Sequence, residues 1–280
     1  MSPFRTKPVE YVTLSHRWGS HQSFVTTKAN LESRQEGFYF EELPQTYRDA
    51  AIIAARLGFE YLWIDALCIV QDDPKDWIRE SGKMGAIYHL ASLTIASHCS
   101  ENDGDGFLAP ALQRRGGVPF SSLDRTYVRA AADLELDISR SPLAKRGWVF
   151  QERFLSARVL HFTTGMIYLE TPRWTKSEDA VDRSVAYWTN QTLRSPLEWF
   201  QLVEMYSTCS LTREQDKLIA ISGIAQVVSQ GMCIPYLSGI WADRLAAGLM
   251  WLNVDGPLKK SQEYRASTWS WAAWDGPIQF

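Results

Sequence analysis

The first hundred residues alternate between short apolar runs and longer amphipathic stretches. The runs at 11–15, 61–65 and 92–97 predict strands. Pro44 begins a predicted helix that Gly58 ends, because Pro is favoured in the first turn of a helix and Gly just after the last. Asp73 followed by Pro74 begins the next helix. Strands that alternate with helices predict an α/β fold, with a mostly parallel sheet flanked by helices.

The pattern changes in the second half of the chain. A helix is predicted around 146–153 and a hairpin over 157–162 and 165–170, followed by helical stretches near 196–208, 213–229 and 240–253 and a Trp-rich strand-like stretch at 268–274. The ENDGDG segment at 101–106 predicts a turn-rich loop rather than a calcium site, since Leu112 stands where a calcium loop requires Glu. We expect one domain over 1–170 and a mainly helical C-terminal region over 171–280 that packs on it.

One carboxylate, Glu80, falls where a helix is expected to be apolar. If 74–88 forms one helix, Trp77, Met84 and Tyr88 gather on the face that contains Glu80. An unpaired carboxylate in apolar surroundings is costly, so one interpretation is a structural ion pair with a buried Arg. The other interpretation is a functional group at the edge of a pocket.

Polar and aromatic residues follow the first two predicted strands. His16, Arg17 and Trp18 come directly after 11–15, and Asp65 closes 61–65. Ligands of open α/β sheets bind beyond the carboxyl ends of the strands, so these residues are candidates for a binding site. His16 is a candidate proton carrier, or alternatively a packed side chain. Asp65 either contacts a ligand or caps a helix or turn.

Composition narrows the class of protein. The chain has 280 residues and is 45% hydrophobic, enough for a substantial core. Its net charge is −3 and its basic residues are scattered, which argues against nucleic-acid binding. No apolar run approaches the roughly 20 residues of a membrane span, and the first residues contain no secretion signal, so we expect a cytoplasmic protein. The four cysteines have no CxxC spacing, and no metal site is predicted.

Distinctive blocks, several of them rich in Trp, follow one another along nearly the whole chain. They are YVTLSHRWG (11–19), LPQTYRD (43–49), LGFEYLWIDALCIVQD (57–72), DWIRESGKMGAIYHLA (76–91), RGWVFQERFLSARVLHF (146–162), DKLIAISGIA (216–225), GIW (239–241) and STWSWAAWDG (267–276). In this order they resemble fungal heterokaryon incompatibility (HET) domain proteins. The resemblance implies a role in fungal non-self recognition and programmed cell death. The chain opens almost at the first block, as expected of a minimal or a truncated family member.

A second similarity rests on two short motifs. LSHRWG (14–19) resembles the first-strand motif of Toll/interleukin receptor (TIR) domains, and Trp77-x-x-Glu80 resembles the segment that carries their NAD-cleaving glutamate. Ile78 departs from the Cys that often follows that Trp in plant-type members. The similarity implies a TIR-like or Rossmann-like sheet, with NAD as a substrate and no resident cofactor.

The same similarity implies roles for particular residues. Glu80 is the catalytic candidate, since a carboxylate stabilises the oxocarbenium-like cation that forms when the bond between nicotinamide and ribose breaks. Trp18 and Trp77 would stack on nicotinamide or adenine, and Arg17 or backbone amides of the 15–20 loop would hold the pyrophosphate. The candidate substrate-binding residues are His16, Arg17, Trp18, Asp65 and Trp77.

Two classes of function therefore stay open. One is an enzyme that consumes NAD, and the other is a death-signalling module that assembles without turnover, as a homo-oligomer or with other death-signalling proteins. An open cleft bounded by Glu80, Trp18 and the end of the 61–65 strand favours the enzyme, whereas a buried or ion-paired Glu80 with no adjoining pocket favours the module. A serine hydrolase is disfavoured because the chain has no G-x-S-x-G motif.

Overall fold

A computed structural model describes residues 9–19, 24–109, 118–119, 127–128, 133–179, 182–183, 196–230 and 234–280. The chain forms two compact units, each from several segments. The first comprises 1–76, 91–143 and 157–185, and the second 77–90, 144–156 and 186–280. The boundary expected at residue 170 stays a prediction. No helix in the described ranges is both long and apolar enough to cross a membrane.

The α-helices of the described residues are short to medium in length. They are α1 (Leu31–Glu36), α2 (Gln45–Arg56), α3 (Asp65–Cys68), α4 (Pro74–Ser81), α5 (Met84–Leu90), α6 (Leu134–Ser139), α7 (Gly147–Leu155), α8 (Pro196–Ser207), α9 (Ile219–Gln230) and α10 (Leu245–Gly248). Single 3₁₀ turns are formed by Phe40–Glu42, Leu143–Lys145, Glu214–Lys217, Ala242–Arg244 and Trp271–Ala273.

The strands divide between the two units. Those of the first unit are β1 (Val12–Ser15), β2 (Leu62–Trp63), β3 (Leu93–Ser97), β4 (Val118–Pro119), β5 (Tyr127–Val128), β6 (Val159–Phe162), β7 (Ile167–Glu170), β8 (Thr175–Ser177) and β9 (Asp182–Arg183). Those of the second unit are β10 (Tyr236–Leu237), β11 (Ile240–Trp241), β12 (Leu252–Asn253), β13 (Lys259–Lys260), β14 (Trp274–Asp275) and β15 (Ile278–Gln279).

The first unit is built on a sheet with the strand order β2-β1-β3-β6-β7-β8-β9. The strands β2, β1, β3 and β6 run parallel, and β7, β8 and β9 continue the sheet antiparallel. The α/β fold class is confirmed. The hairpin expected over 157–170 is present as β6 and β7, in which His161 lies opposite Tyr168.

The central strands of this sheet are buried along their whole length. Val12, Leu14 and Ile95 are fully buried, as expected of parallel strands that are covered on both faces. Two of their threonines bond to each other: Thr13 Oγ1 and Thr94 Oγ1 lie 2.7 Å apart. These two hydroxyl groups therefore enter the core with a hydrogen-bond partner.

The helix α2 packs on this core through residues three and four positions apart. Tyr47, Ala50 and Ala54 are buried in the same apolar cluster as β1 and β3. The helix begins after Pro44, as predicted, and Gly58 beyond its end has a φ of 86°. The local sequence signals at both ends are confirmed.

Two expectations for the segment after β1 are corrected. The predicted strand over 61–65 is only Leu62–Trp63, because Asp65 already begins α3. The predicted helix over 74–88 is not continuous, since α4 ends at Ser81 and α5 begins at Met84. Gly82 lies in the break, and glycine is unfavourable inside a helix because its backbone has more conformational freedom to lose.

The second unit contains the helices α5 and α7–α10 together with short hairpins. The helices α5, α7 and α9 pack on one another. Large indoles fill the rest of the core, where the N–H groups of Trp199 and Trp271 both donate to the carbonyl of Gly239, at 2.9 and 3.0 Å. The helix expected near 196–208 is present as α8, and the helical stretch expected near 213–229 is present as the 3₁₀ turn Glu214–Lys217 followed by α9.

The end of the chain differs from the expectation. The predicted helix over 240–253 is wrong, since these residues form β11, a 3₁₀ turn, α10 and β12. Gly248, the last residue of α10, packs against the side chain of Ile240 so closely that no side chain fits at that position. Within the stretch at 268–274, which was expected to be strand-like, Trp271–Ala273 form a 3₁₀ turn. The Ser270 hydroxyl caps this turn by accepting the Ala272 N–H.

Candidate functional site

The order of the parallel strands changes direction at β1. The chain goes from β1 to β2 on one side and then crosses to β3 on the other, so the winding reverses at β1. Open α/β sheets bind ligands in the crevice at such a reversal. Residues 16–18 follow β1 directly, Asp65 lies just beyond β2, and the loop that begins at His98 follows β3.

His16 is buried at this end of the sheet. Its Nε2 atom lies 3.2 Å from the hydroxyl of Tyr47, and the two rings meet edge to face with centroids 5.1 Å apart. Its Nδ1 atom lies 3.9 Å from Asp65 Oδ1. Burial, followed by the negative charges of Asp65 and Asp103, raises the pKa of Tyr47 well above its usual value, so the phenol stays protonated.

Trp18 and Asp65 form the most direct contact among the predicted site residues. The indole N–H of Trp18 lies 3.1 and 3.0 Å from the two carboxylate oxygens of Asp65. Asp65 Oδ1 also accepts the N–H of Ala66, 2.8 Å away, at the start of α3. The carboxylate therefore accepts a backbone N–H in the first turn of α3 and orients the indole, and His16 lies close to the same Oδ1 atom.

Arg17 connects the ends of two neighbouring strands. Its Nη1 donates to Glu101 Oε2 over 3.1 Å, which joins the residues after β1 to the loop after β3. The two side chains are 30% and 73% exposed, so the ion pair contributes little to stability and is easily exchanged for another anion. The structure thus brings His16, Trp18 and Asp65 together, with Arg17 on the rim.

Glu80 belongs to the second unit and is ion-paired. Its Oε1 atom accepts hydrogen bonds from Arg79 Nε and Lys83 Nζ, each 2.9 Å away. The Glu80 side chain is 17% exposed, and both partners lie more than half exposed. Partial burial opposes ionisation of Glu80, but the hydrogen bonds and charges of Arg79 and Lys83 outweigh it, and the pKa is lowered.

Trp77 also belongs to the second unit, where it lines a cleft. Its ring meets Trp148 edge to face, with centroids 6.5 Å apart, and the guanidinium carbon of Arg213 lies 5.7 Å from its centroid. The indole N–H of Trp148 donates to Asp216 Oδ2 over 3.2 Å. In the described parts of the chain, no three His, Cys, Asp or Glu side chains form a group that would hold a metal ion.

The family model for heterokaryon incompatibility protein (HET) matches residues 11–152, more than half of the chain. The chain belongs to the HET family. The match covers the strands β1–β3, the site residues after β1 and both Trp77 and Glu80. No curated protein and no solved structure shows a significant similarity to this chain.

The HET chain also contains a buried row of polar side chains that the sequence analysis missed. Ser141 Oγ lies 2.9 Å from His98 Nδ1, and His98 Nε2 lies 2.9 Å from His161 Nδ1. His161 Nε2 lies 2.8 Å from Glu170 Oε2. All four residues are at most 5% exposed. With Glu170 as the terminal acceptor, each group can donate to the next one along the row.

A signal for half of this row was present in the sequence. His161 and Glu170 stand in the two arms of the predicted hairpin. A charged residue that points inward from a hairpin needs a partner, so the His in the opposite arm is the natural candidate. No comparable signal links His98 or Ser141 to the row, since His98 meets His161 through the pairing of β3 with β6 and Ser141 lies on neither strand.

Proposed function

We propose that this HET-family protein acts in the cell death that follows fusion of incompatible fungal cells. We further propose that it binds NAD beyond β1 and cleaves the bond between nicotinamide and ribose. The observation that carries the proposal is the cluster of His16, Trp18 and Asp65 at the reversal of the strand order. The motif similarity to TIR domains supports NAD as the ligand, and the cytoplasm is the expected site of action.

Each member of the cluster has a defined part in this proposal. Trp18 offers a ring for nicotinamide or adenine, and Asp65 restricts the orientation of that ring by accepting its N–H. Arg17 exchanges its exposed ion pair with Glu101 for the pyrophosphate, with which a guanidinium forms two parallel hydrogen bonds. His16, backed by Tyr47, is a hydrogen-bonding group for the nicotinamide-side ribose.

The assignment of cleavage to Glu80, in the second unit, rests on the TIR-like Trp77-x-x-Glu80 motif alone. The bond between ribose C1′ and the pyridinium nitrogen breaks, and its electron pair leaves with nicotinamide. The remaining ribosyl cation is stabilised by a carboxylate until water adds at C1′ and releases a proton, which gives ADP-ribose. This role requires an ionised Glu80, and the lowered pKa of Glu80 is consistent with that requirement at neutral pH.

The second candidate function is a non-enzymatic assembly module in death signalling. The pairing of Glu80 with Arg79 and Lys83 favours it, since an ion pair satisfies the carboxylate and compensates its charge. In this alternative the protein signals by regulated self-association or by contact with other death-signalling proteins. Glu80 then has a structural part only.

The experiment is nicotinamide release from NAD by the purified chain at high concentration, with Glu80→Gln and the matched control Glu60→Gln. Glu60 is exposed in the first unit, so its substitution changes the same charge at another place. We expect turnover in the parent and in Glu60→Gln, and loss of turnover in Glu80→Gln with unchanged melting.

Binding is measured separately by calorimetry with NAD, using Trp18→Ala. Loss of binding without loss of fold supports the site beyond β1. If the parent neither binds nor cleaves NAD, and Glu80→Gln lowers the melting temperature, the enzyme proposal fails. Concentration-dependent assembly in light scattering then supports the assembly module.

A further inference from the structure

The second unit contains a cleft of about 590 Å³ that the proposed function does not use. Its volume lies within the range of about 300–1,000 Å³ that is typical of ligand pockets. The cleft is formed by the indole of Trp77, the residues around the 3₁₀ turn before α9, and the segment after β13. Its lining residues are Trp77, Thr212, Arg213, Glu214, Gln215, Asp216, Gln262 and Glu263.

Negative charge predominates in this lining. Three carboxylates, those of Glu214, Asp216 and Glu263, face a single cation, Arg213. Glu214 is paired with Lys259 over 2.8 Å, and Glu263 accepts a neutral amide N–H from Gln215 over 3.0 Å. Arg213 is therefore left to balance the two negative charges of Asp216 and Glu263. The excess negative charge favours a positively charged ligand.

Asp216 is the buried member of the three and is only partly compensated. The residue is 6% exposed, and it accepts the Trp148 N–H. Burial raises the pKa of Asp216 despite the opposing effects of that hydrogen bond and of Arg213. A further cation beside this carboxylate would recover part of the free energy that burial costs.

The Trp77 ring already takes part in an interaction with a cation. The guanidinium of Arg213 lies 5.7 Å from its centroid, at the outer limit of a cation–π contact. An indole face beside carboxylates is a favourable environment for guanidinium and ammonium groups. The position of Arg213 thus indicates that a guanidinium group fits beside Trp77. Its charge also repels a second cation that enters the cleft.

We propose that this cleft docks a basic peptide segment of a protein partner by receiving an Arg or Lys side chain between Trp77 and Asp216. Glu263 at the exposed rim adds attraction for a second basic residue. The amides of Gln215 and Gln262 are suited to hydrogen bonds with the peptide backbone. The proposal concerns the second unit alone and does not depend on NAD.

The test uses fluorescein-labelled tri-arginine amide and measures its anisotropy with the full chain at low and at physiological ionic strength. Tri-citrulline amide is the matched neutral probe, because citrulline keeps the shape of arginine without the charge. We expect binding of tri-arginine that weakens with salt, and at least about tenfold weaker binding of tri-citrulline.

Removal of a negative charge from the cleft should weaken tri-arginine binding, and removal of a positive charge should strengthen it. Asp216→Asn should weaken tri-arginine binding about tenfold, and the exposed Glu263→Gln about threefold. Arg213→Ala should tighten it by about threefold, since a competing cation is removed. Asp243→Asn, at an exposed carboxylate elsewhere in this unit, is the control and should change nothing.

Two results would overturn the proposal. One is tri-arginine binding that neither Asp216→Asn nor Glu263→Gln weakens, because the attraction then lies elsewhere on the surface. The other is weaker binding in Arg213→Ala, because Arg213 would then act as the recognising group for an anion. Glu263→Gln keeps the test decisive if Asp216→Asn does not fold, since Glu263 is exposed.

Discussion

Gly85 on α5 packs directly against Gly223 on α9. A Cβ atom added to Gly85 would lie 2.7 Å from the Cα of Gly223 and 3.3 Å from Leu155 Cδ1. The same point is reached by α7, whose Gln151 Oε1 accepts the N–H of Gly223 over 2.7 Å. Three helices of the second unit therefore meet where two of them carry no side chain, and the close approach depends on that absence.

Gly85→Ala should destabilise the protein by about 1–3 kcal/mol, because the added methyl group meets backbone that cannot yield easily. The measurement is the free energy of unfolding in urea. Gly82→Ala is the matched control a few residues earlier, where an added Cβ finds its nearest neighbour, Ile78 O, at 3.6 Å. Similar losses in both variants would show that the contact between Gly85 and Gly223 is not the cause.

Asp49 holds the end of the loop after β3. Its Oδ2 accepts the N–H groups of Phe107 and Leu108, at 2.7 and 2.9 Å, and its Oδ1 accepts Gln45 Nε2 at 2.6 Å. The residue is 3% exposed. Asp49→Ala leaves buried N–H groups without an acceptor, so we expect a loss of about 2–4 kcal/mol in unfolding free energy.

The control for Asp49 is Asp105→Ala in the same loop. Asp105 Oδ2 also accepts two backbone N–H groups, those of Glu101 and Asn102, but it is exposed. Water can replace this acceptor, so the loss should stay below about 1 kcal/mol. An equal loss in both variants would mean that burial does not set the cost.

The parts of the fold that follow from local signals were predicted from the sequence. Pro44 and Gly58 mark the ends of α2 because the backbone preferences of these residue types act within a few positions. The cluster of His16, Trp18 and Asp65 was also predicted, since parallel strands bring their carboxyl ends to one edge of a sheet.

The parts that depend on distant neighbours were not predicted. The break between α4 and α5 accompanies the packing of Gly85 on Gly223, which lies more than a hundred residues later in the chain. Likewise, Ser141 meets His98 only through tertiary packing. The ion pairs of Glu80 are a different case, because Arg79 and Lys83 are its neighbours in the sequence and the i,i+3 spacing of Glu80 and Lys83 is a local signal for such a pair.

The row from Ser141 to Glu170 predicts the tautomers of two histidines. If Glu170 accepts the N–H of His161 Nε2, then His161 Nδ1 is an acceptor and His98 donates to it through Nε2. ¹⁵N-resolved NMR of the imidazoles should therefore find both rings protonated at Nε2. Protonation of either ring at Nδ1 alone would contradict this order.

Glu170→Gln tests whether the carboxylate sets that order. An amide can turn either its oxygen or its NH₂ group to His161, so the imidazole signals of His161 and His98 should both change. We expect a loss of about 1–3 kcal/mol in stability, since a charge-assisted hydrogen bond is replaced by a neutral one in a buried place. The signals of His89, in the second unit, serve as the internal control and should not move.

Cys209 predicts a specific loss of stability at alkaline pH. Its Sγ lies 3.9 Å from the carbonyl oxygens of Ala144 and Met205, and burial raises its pKa from 9.0 to about 11, against a smaller opposing effect of Thr208. Between these values the unfolded chain loses the thiol proton while the folded protein retains it. The contribution is therefore fully present below pH 9 and is lost as the pH rises through 11.

Cys209→Ala should remove this part of the pH dependence. Relative to the variant, the parent should lose about 2 kcal/mol of unfolding free energy between pH 8 and pH 11. Burial also raises the pKa of Tyr236, which is common to the two proteins, so its effect cancels in the difference. Burial and then Cys209 itself raise the pKa of Tyr206, so the difference contains the ionisation of Cys209 together with its coupling to Tyr206. Urea titrations under reducing conditions at a series of pH values measure this difference in unfolding free energy. If the unfolding free energies of parent and variant change in parallel with pH, the thiol ionises as readily in the folded protein as in the unfolded chain.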